Sequence, residues 1–135
     1  MTLIAPKPFM LNDCILTIGT DSYESSVSSV AFNPAPVVAT FKGMKKGAKF
    51  NLAGESDWTA AITLAQDWET ADALSRYLME HEGETVPAVF KPTNGKPGIA
   101  ANLTIVPGSI GGGVGTVATS SVTLNSDTPV LDPIV

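Results

Sequence analysis

The chain has 135 residues, 44% of them hydrophobic and 16% charged, with a formal net charge of −5. That length fits one domain able to bury roughly two-thirds of the surface its unfolded chain exposes, and the apolar content excludes an intrinsically disordered chain. The acidic balance excludes a general nucleic-acid binder, which needs a cationic footprint, and no window approaches the ~18 unbroken apolar residues of a membrane span.

The N-terminus lacks a charged region followed by an apolar one, so a signal peptide is not expected. The single cysteine, Cys14, rules out an intrachain disulfide and suits a reducing compartment. Within "CILTI" it reads as a small buried hydrophobe.

Residues 1–11, with Pro6 and Pro8, predict an extended arm, because proline disfavours both helix and central strand. A first strand is expected over 12–18 and a turn over Gly19–Ser22. A second is expected over 26–32, broken by Asn33-Pro34-Ala35-Pro36, and a third, rich in β-branched residues, over 37–42. Residues 43–54 have the composition of a loop, extended to 43–57 as a long basic connection. Four of the eight cations sit there or at its edge: Lys42, Lys45, Lys46 and Lys49. A solvated loop, or one docking on an acidic neighbour, fits this cluster better than a nucleic-acid site.

Residues 58–68 alternate with period two. Trp58, Ala60, Ile62, Leu64 and Trp68 share one face, and Asp57, Thr59, Ala61, Thr63 and Asp67 the other, which predicts a half-buried strand with a small polar second face. A helix is expected over about 70–82, with Thr70 as N-cap, Asp72 in the first turn and Gly83 as the stop. Its stripe of Ala71, Leu74, Tyr77, Leu78 and His81 has helical spacing, and Leu74, Tyr77 and Leu78 are the expected packing residues. At about 12 residues such a helix is marginal alone and must lie on a sheet.

Strands are then expected over 85–91 and 99–106, joined through Asn94-Gly95, the strongest short hairpin signal. In the second of these Ile99, Ala101, Leu103 and Ile105 face the core. A last strand is expected over 116–124 after the glycine-rich "PGSIGGGVG", and residues 125–135 form an apolar, proline-containing tail suited to docking. The sequence contains no internal repeat.

None of the motifs that carry chemistry survives its own mechanical requirement. "GVGTVA" (residues 113–118) matches a dinucleotide fingerprint in letters, but that site needs a helix N-terminus to receive the pyrophosphate, and a β-branched strand follows instead. His81 has no nucleophile partner in any recognisable pattern. One histidine and one cysteine make no metal cluster of known spacing. Glu80, Glu82 and Glu84 splay around a helix end instead of converging. The sequon at Asn102 lies mid-strand, and Trp58 and Trp68 fit strand-end anchors better than base-stacking platforms. No enzyme activity, cofactor or metal is expected.

The stretch from Trp58 to Thr128 resembles the major tail (tail tube) proteins of long-tailed bacteriophages. The resemblance rests on the strand "WTAAITLAQDW", the helix "ADALSRYLMEHEG" and a strand ending in Pro107, followed by "SIGGGVG", "TVATSSVTL" and a closing "SDTPVL". It covers over half the chain, and order and spacing are its specific part. It implies a mainly β, sandwich- or barrel-like tail-tube fold filling residues 1–135 as one domain, with one flanking helix, an N-terminal arm and a C-terminal tail. The implied function is structural: homo-hexameric rings stack into a hollow virion tube through which genomic DNA is ejected without specific binding. The implied partners are further copies of the chain and other tail proteins (tape measure, tip and terminator), with no membrane, the protein being made in the bacterial host cytoplasm.

Within that picture Thr59, Ala61, Thr63, Ser121 and Thr123 are expected to face the channel, and the overall acidity to suit it. Lys42, Lys45, Lys46 and Lys49 are expected to reach carboxylates of an adjacent ring. The residues fit a sheathed or an unsheathed tail alike. The alternatives are a terminator or connector that forms one ring and never stacks, and an immunoglobulin-like adhesion or decoration module of the virion.

Overall fold

A computed structural model describes residues 1–131; the part of the expected tail beyond Leu131 lies outside the described residues. In chain order the elements are β1 (Ile15–Ile18), β2 (Asp21–Ser22), β3 (Val27–Ala35), β4 (Val38–Lys42), β5 (Lys49–Ala53), β6 (Asp57–Ala65), α1 (Leu74–Glu80), β7 (Thr85–Lys91), β8 (Ile99–Thr104), β9 (Thr119–Ser126) and β10 (Val130–Leu131). Among the described residues the fold is mainly β, with antiparallel sheets, one short helix and no closed barrel.

The main sheet runs β2-β1-β7-β8-β9-β6-β3, with β10 also on β8, and β4-β5 form a separate two-stranded sheet. Period-two alternation explains how the main sheet encloses a core. Ala60, Ile62 and Leu64 of β6 and Val122 and Leu124 of β9 point inward from one half. Leu16, Ile18, Ala88, Phe90, Leu103 and Ile105 meet them from the other. Phe32 on β3 lies 6.4 Å from Phe90 on β7, so the two halves pack face to face although β3 and β1 do not pair.

The corner between the halves is at β8–β9, which pair only at Leu103↔Ser126 and Thr104↔Asn125. There the Asp127 carboxylate accepts the Asn102 backbone N–H at 2.8 Å and its side-chain amide at 2.9 Å. After this stitch the chain rejoins β8 as β10, opposite Ala100 and Ile99. The tail, up to Leu131, thus docks on its own sheet.

Several boundaries differ from expectation, each for a local reason. Strand β3 continues through Asn33-Pro34-Ala35, with Pro34 opposite Trp58; at a sheet edge the missing N–H removes no ladder bond. Residues 43–54 are not a loop. Their second half is β5, held to β4 by the cross-strand Phe41–Phe50 pair, 6.5 Å between rings, and by a Thr40 Oγ1 to Asn51 Oδ1 hydrogen bond of 2.8 Å. Gly47, at φ +86°, makes the turn.

Strand β6 stops at Ala65, short of Trp68. The Asp67 carboxylate accepts the Glu69 and Thr70 amides at 3.0 and 3.1 Å and turns the chain. This turn consumes the expected first helical turn. Thr70 is therefore not the N-cap, Ala73 occupies that position without a side-chain cap, and the helix is shorter than 70–82. Leu74 and Leu78 are buried and Tyr77 is half-buried against the same core, whereas Ala71 is exposed. Gly83, at φ +88°, stands just past the helix end.

Candidate assembly surfaces

Three surfaces emerge from the fold, and none is a catalytic cleft. His81 stacks on Tyr77, ring centroids 4.1 Å apart, with Nδ1 3.1 Å from the Tyr77 carbonyl and Nε2 3.9 Å from Glu84. The Cys14 thiol donates to the Pro92 carbonyl at 3.3 Å. Both residues are engaged locally in the packing. Among the described residues no group of three or more His, Cys, Asp or Glu side chains could hold a metal ion.

The first surface is the outer face of β3, β6 and β9. Register aligns Ser29, Thr63 and Ser121 in one row, Ala31, Ala61 and Thr123 in the next, and Asn33, Thr59 and Asn125 in a third. The five residues expected on a polar face (Thr59, Ala61, Thr63, Ser121 and Thr123) therefore lie together on one side of two paired strands. The Thr63 and Ser121 hydroxyls are 3.2 Å apart. Asp57 is the only charged residue in these three strands. Asp57 alternates onto the same side as Thr59, at the end of the face, and the other twelve carboxylates of the chain lie outside these strands.

The second surface is the edge of β3, nine residues long and without a charged side chain. Natural edges are blunted by charge, proline, bulges or shortness. This one has a register shift between Val27 and Ser29 and a proline near its far end. Between them Ser29–Asn33 is an open, neutral strand edge that pairs with no strand on its outer side among the described residues.

The third surface is the β4–β5 hairpin, exposed at every strand residue. Register places Ala39, Leu52, Phe41 and Phe50 on one side, and Val38, Ala53, Thr40, Asn51, Lys42 and Lys49 on the other. Lys42 stands opposite Lys49, and Lys45 and Lys46 sit in the turn. The four lysines are gathered at one tip, and none makes an ion pair among the described residues.

A fourth feature left little trace in the sequence. The Gln66 side chain ties down the glycine-rich connection: Nε2 donates to the carbonyls of Gly111 and Thr119, both at 2.8 Å, while Oε1 accepts the Gly111 N–H at 2.9 Å. Trp68 Nε1 reaches the same Oε1 at 3.3 Å. The only available signal was a glutamine directly after an alternating strand, which by itself says nothing of a partner 45 residues away.

Electrostatics at the helix end of the molecule follow from these contacts. Hydrogen bonds from Thr70 and Glu69 hold the Asp67 carboxyl below its ordinary range. Burial, aided by the neighbouring Asp21, pushes the Tyr23 phenol up to about 12, and burial also raises Tyr77.

No protein-family model matches the chain, and no curated protein matches it in sequence. Solved structures do. A chain of an extracellular contractile injection system, from the cryo-EM structure of the PVC sheath/tube terminator in its extended state, superposes with a TM-score of 0.68 at 14% identity. The match covers 96% of this chain and 100% of that one. A chain of the PVC sheath-tube complex in its extended state gives 0.69 at 13% identity, covering 94% and 93%. At these identities the likeness is one of fold, and it runs nearly the full length of both partners.

Proposed function

We infer that the chain is a structural subunit of a phage tail or tail-like injection particle, assembling as hexameric rings that stack into a hollow tube. The observation that carries this reading is the neutral edge of β3, open from Ser29 to Asn33 between its bulge and its proline. A monomer gains nothing from such an edge and risks aggregation by it. Pairing it with a neighbouring copy in a closed ring removes the liability, as barrel closure does. Residues 1–135 then act as one tube domain, with the arm of residues 1–11 and the tail after Asp127 as additional contacts.

In this arrangement the hydroxyl-rich face of β3, β6 and β9 lines the channel, and α1 covers the outer side. With no lysine or arginine on these strands, a polyanion such as genomic DNA meets no counterion-releasing contact and slides without binding. The hairpin lysines Lys42, Lys45, Lys46 and Lys49 reach the adjacent ring. Other tail proteins, a tape measure, a tip and a terminator among them, start, measure and end the stack. The work is that of a scaffold, with no chemical step.

A second reading has its own support. The likeness to a chain of a sheath/tube terminator structure covers all of that chain, and a terminator would form one ring at the end of a tube. Negative-stain electron microscopy of concentrated protein separates the two. Uniform tubes are expected from a stacking subunit, isolated rings from a terminator, and a field of monomers under every condition overturns both.

A further inference from the structure

The root of the hairpin carries a recess whose character mirrors the hairpin itself. On one side Phe32, Trp58, Phe90, Ile99, Pro129 and Leu131 line an apolar hollow of about 330 Å³. Beside it, sharing Trp58, a smaller hollow of about 230 Å³ is edged by Glu55, Asp57 and Asp127. Asp127 is occupied in stitching Asn102, and Glu55 Oε1 accepts the Thr128 hydroxyl at 2.6 Å, leaving a second oxygen. The hairpin offers the complement: an apolar side of Phe41, Phe50 and Leu52, each more than half exposed, and a turn carrying Lys45 and Lys46. The turn lysines cannot reach their own recess, because each strand of five residues holds the tip roughly 17 Å from the root, and Leu52, though nearer the root, is 66% exposed and so is not covered by it.

We propose that the hairpin of one copy docks in the hairpin-root recess of a second copy of this chain, Phe41, Phe50 and Leu52 entering the apolar hollow while Lys45 and Lys46 meet Glu55 and Asp57. The occupant is a second copy because charge complementarity is supplied by the chain itself: its densest cation cluster is at the tip and makes no ion pair among the described residues, and carboxylates ring the recess at the root. Apolar burial supplies the affinity, and the ion pairs set register and partner choice. The contact is head-to-tail, so it propagates from copy to copy and either closes into a ring or runs on as a filament. It deepens the self-assembly inferred above, naming the socket for the hairpin, and rests on that reading only in requiring contact between copies.

Two variants in a Cys14→Ser background test it by disulfide trapping: Met44→Cys at the tip of one copy and Ser56→Cys at the root of another. Mixed under oxidising conditions, they are expected to cross-link between copies, whereas each alone does not. In parallel, Lys45→Glu/Lys46→Glu and Glu55→Lys/Asp57→Lys are each expected to weaken assembly by about tenfold or more, and mixing the two is expected to restore it. Circular dichroism of each variant identifies any that fails to fold, and the cysteine pair then decides. Assembly of the wild-type chain without the Met44–Ser56 cross-link, and without rescue on mixing, overturns this socket while leaving self-assembly intact. Cross-linked chains that never form rings or tubes support the socket and overturn the stacked-ring reading.

Discussion

Strand β6 and the β4–β5 hairpin follow one another in the chain and are built from the same alternation, yet only one of them is buried. In β6 the inward residues Ala60, Ile62 and Leu64 are at most 2% exposed, and strands pair on both sides. In the hairpin Phe41 and Phe50 form an equally regular cross-strand pair, but they stand 64% and 57% exposed, with none of the described residues covering them. Alternation therefore specifies which side of a strand is apolar, not what covers it. Where no described residue supplies the covering surface, the pattern points to another molecule.

That contrast makes unequal demands on mutation. Leu64→Ala or Leu103→Ala is expected to destabilise the monomer by about 2–5 kcal/mol in urea unfolding, since each removes a fully enclosed side chain. Phe50→Ala is expected to cost at most about 1 kcal/mol, the worth of one cross-strand pair, while suppressing assembly. A Phe50 variant that unfolds like the Leu64 variant would erase the distinction between core strand and hairpin.

A smaller effect is expected where β6 leaves the sheet. The Ser75 hydroxyl donates to the Asp67 carbonyl at 2.7 Å and accepts the Asp67 N–H at 3.0 Å from a buried position. Ser75→Ala leaves both backbone groups unpaired, for a loss of about 1–3 kcal/mol by thermal denaturation. Gln66→Ala is expected to cost less, about 1 kcal/mol, and to show itself instead in faster hydrogen exchange at Gly111, whose N–H the Gln66 side chain accepts. Unchanged exchange there would mean that the glycine-rich connection is ordered without its clamp.

The smallest effects are those of pH. Asp67 is held below its ordinary pKa in the folded chain, so its contribution is present above the unfolded value and fades as pH falls through the folded one. Asp67→Asn is expected to flatten the acid limb of the stability curve. Tyr23 has the opposite sign. Its raised pKa contributes stability below the unfolded value of 10.0, lost as pH rises toward about 12. Ultraviolet titration of tyrosinate, with Tyr23→Phe as reference, is expected to show that late step.

Much of the core was legible in the sequence because it depends on period and punctuation. The inward sets of β6 and β8, the pairing through Asn94-Gly95 and the glycine after the helix need only short-range grammar. What escaped depends on partners far along the chain. Strand β5 was hidden by lysines and glycines that suggest a loop, and becomes a strand only when Phe50 finds Phe41. The helix lost its first turn because Asp67 drew the Glu69 and Thr70 amides into a turn ahead of it. Pro34 reads as a breaker unless the strand is known to be an edge. The polar face was legible residue by residue, but its lack of cations, with Asp57 its one charge, follows from the strand order β9-β6-β3, which crosses sequence gaps that no local pattern spans.

The claim that joins these observations is that the hydroxyl-rich, cation-free β3–β6–β9 face is turned toward a channel made by many copies. Cryo-electron microscopy of the assembled protein tests it most directly. Thr59, Ala61, Thr63, Ser121 and Thr123 are expected to line the axis, with β3 of one subunit hydrogen-bonded to its neighbour and α1 outside. An assembly in which that face points outward, or in which the β3 edge stays unpaired, would contradict it.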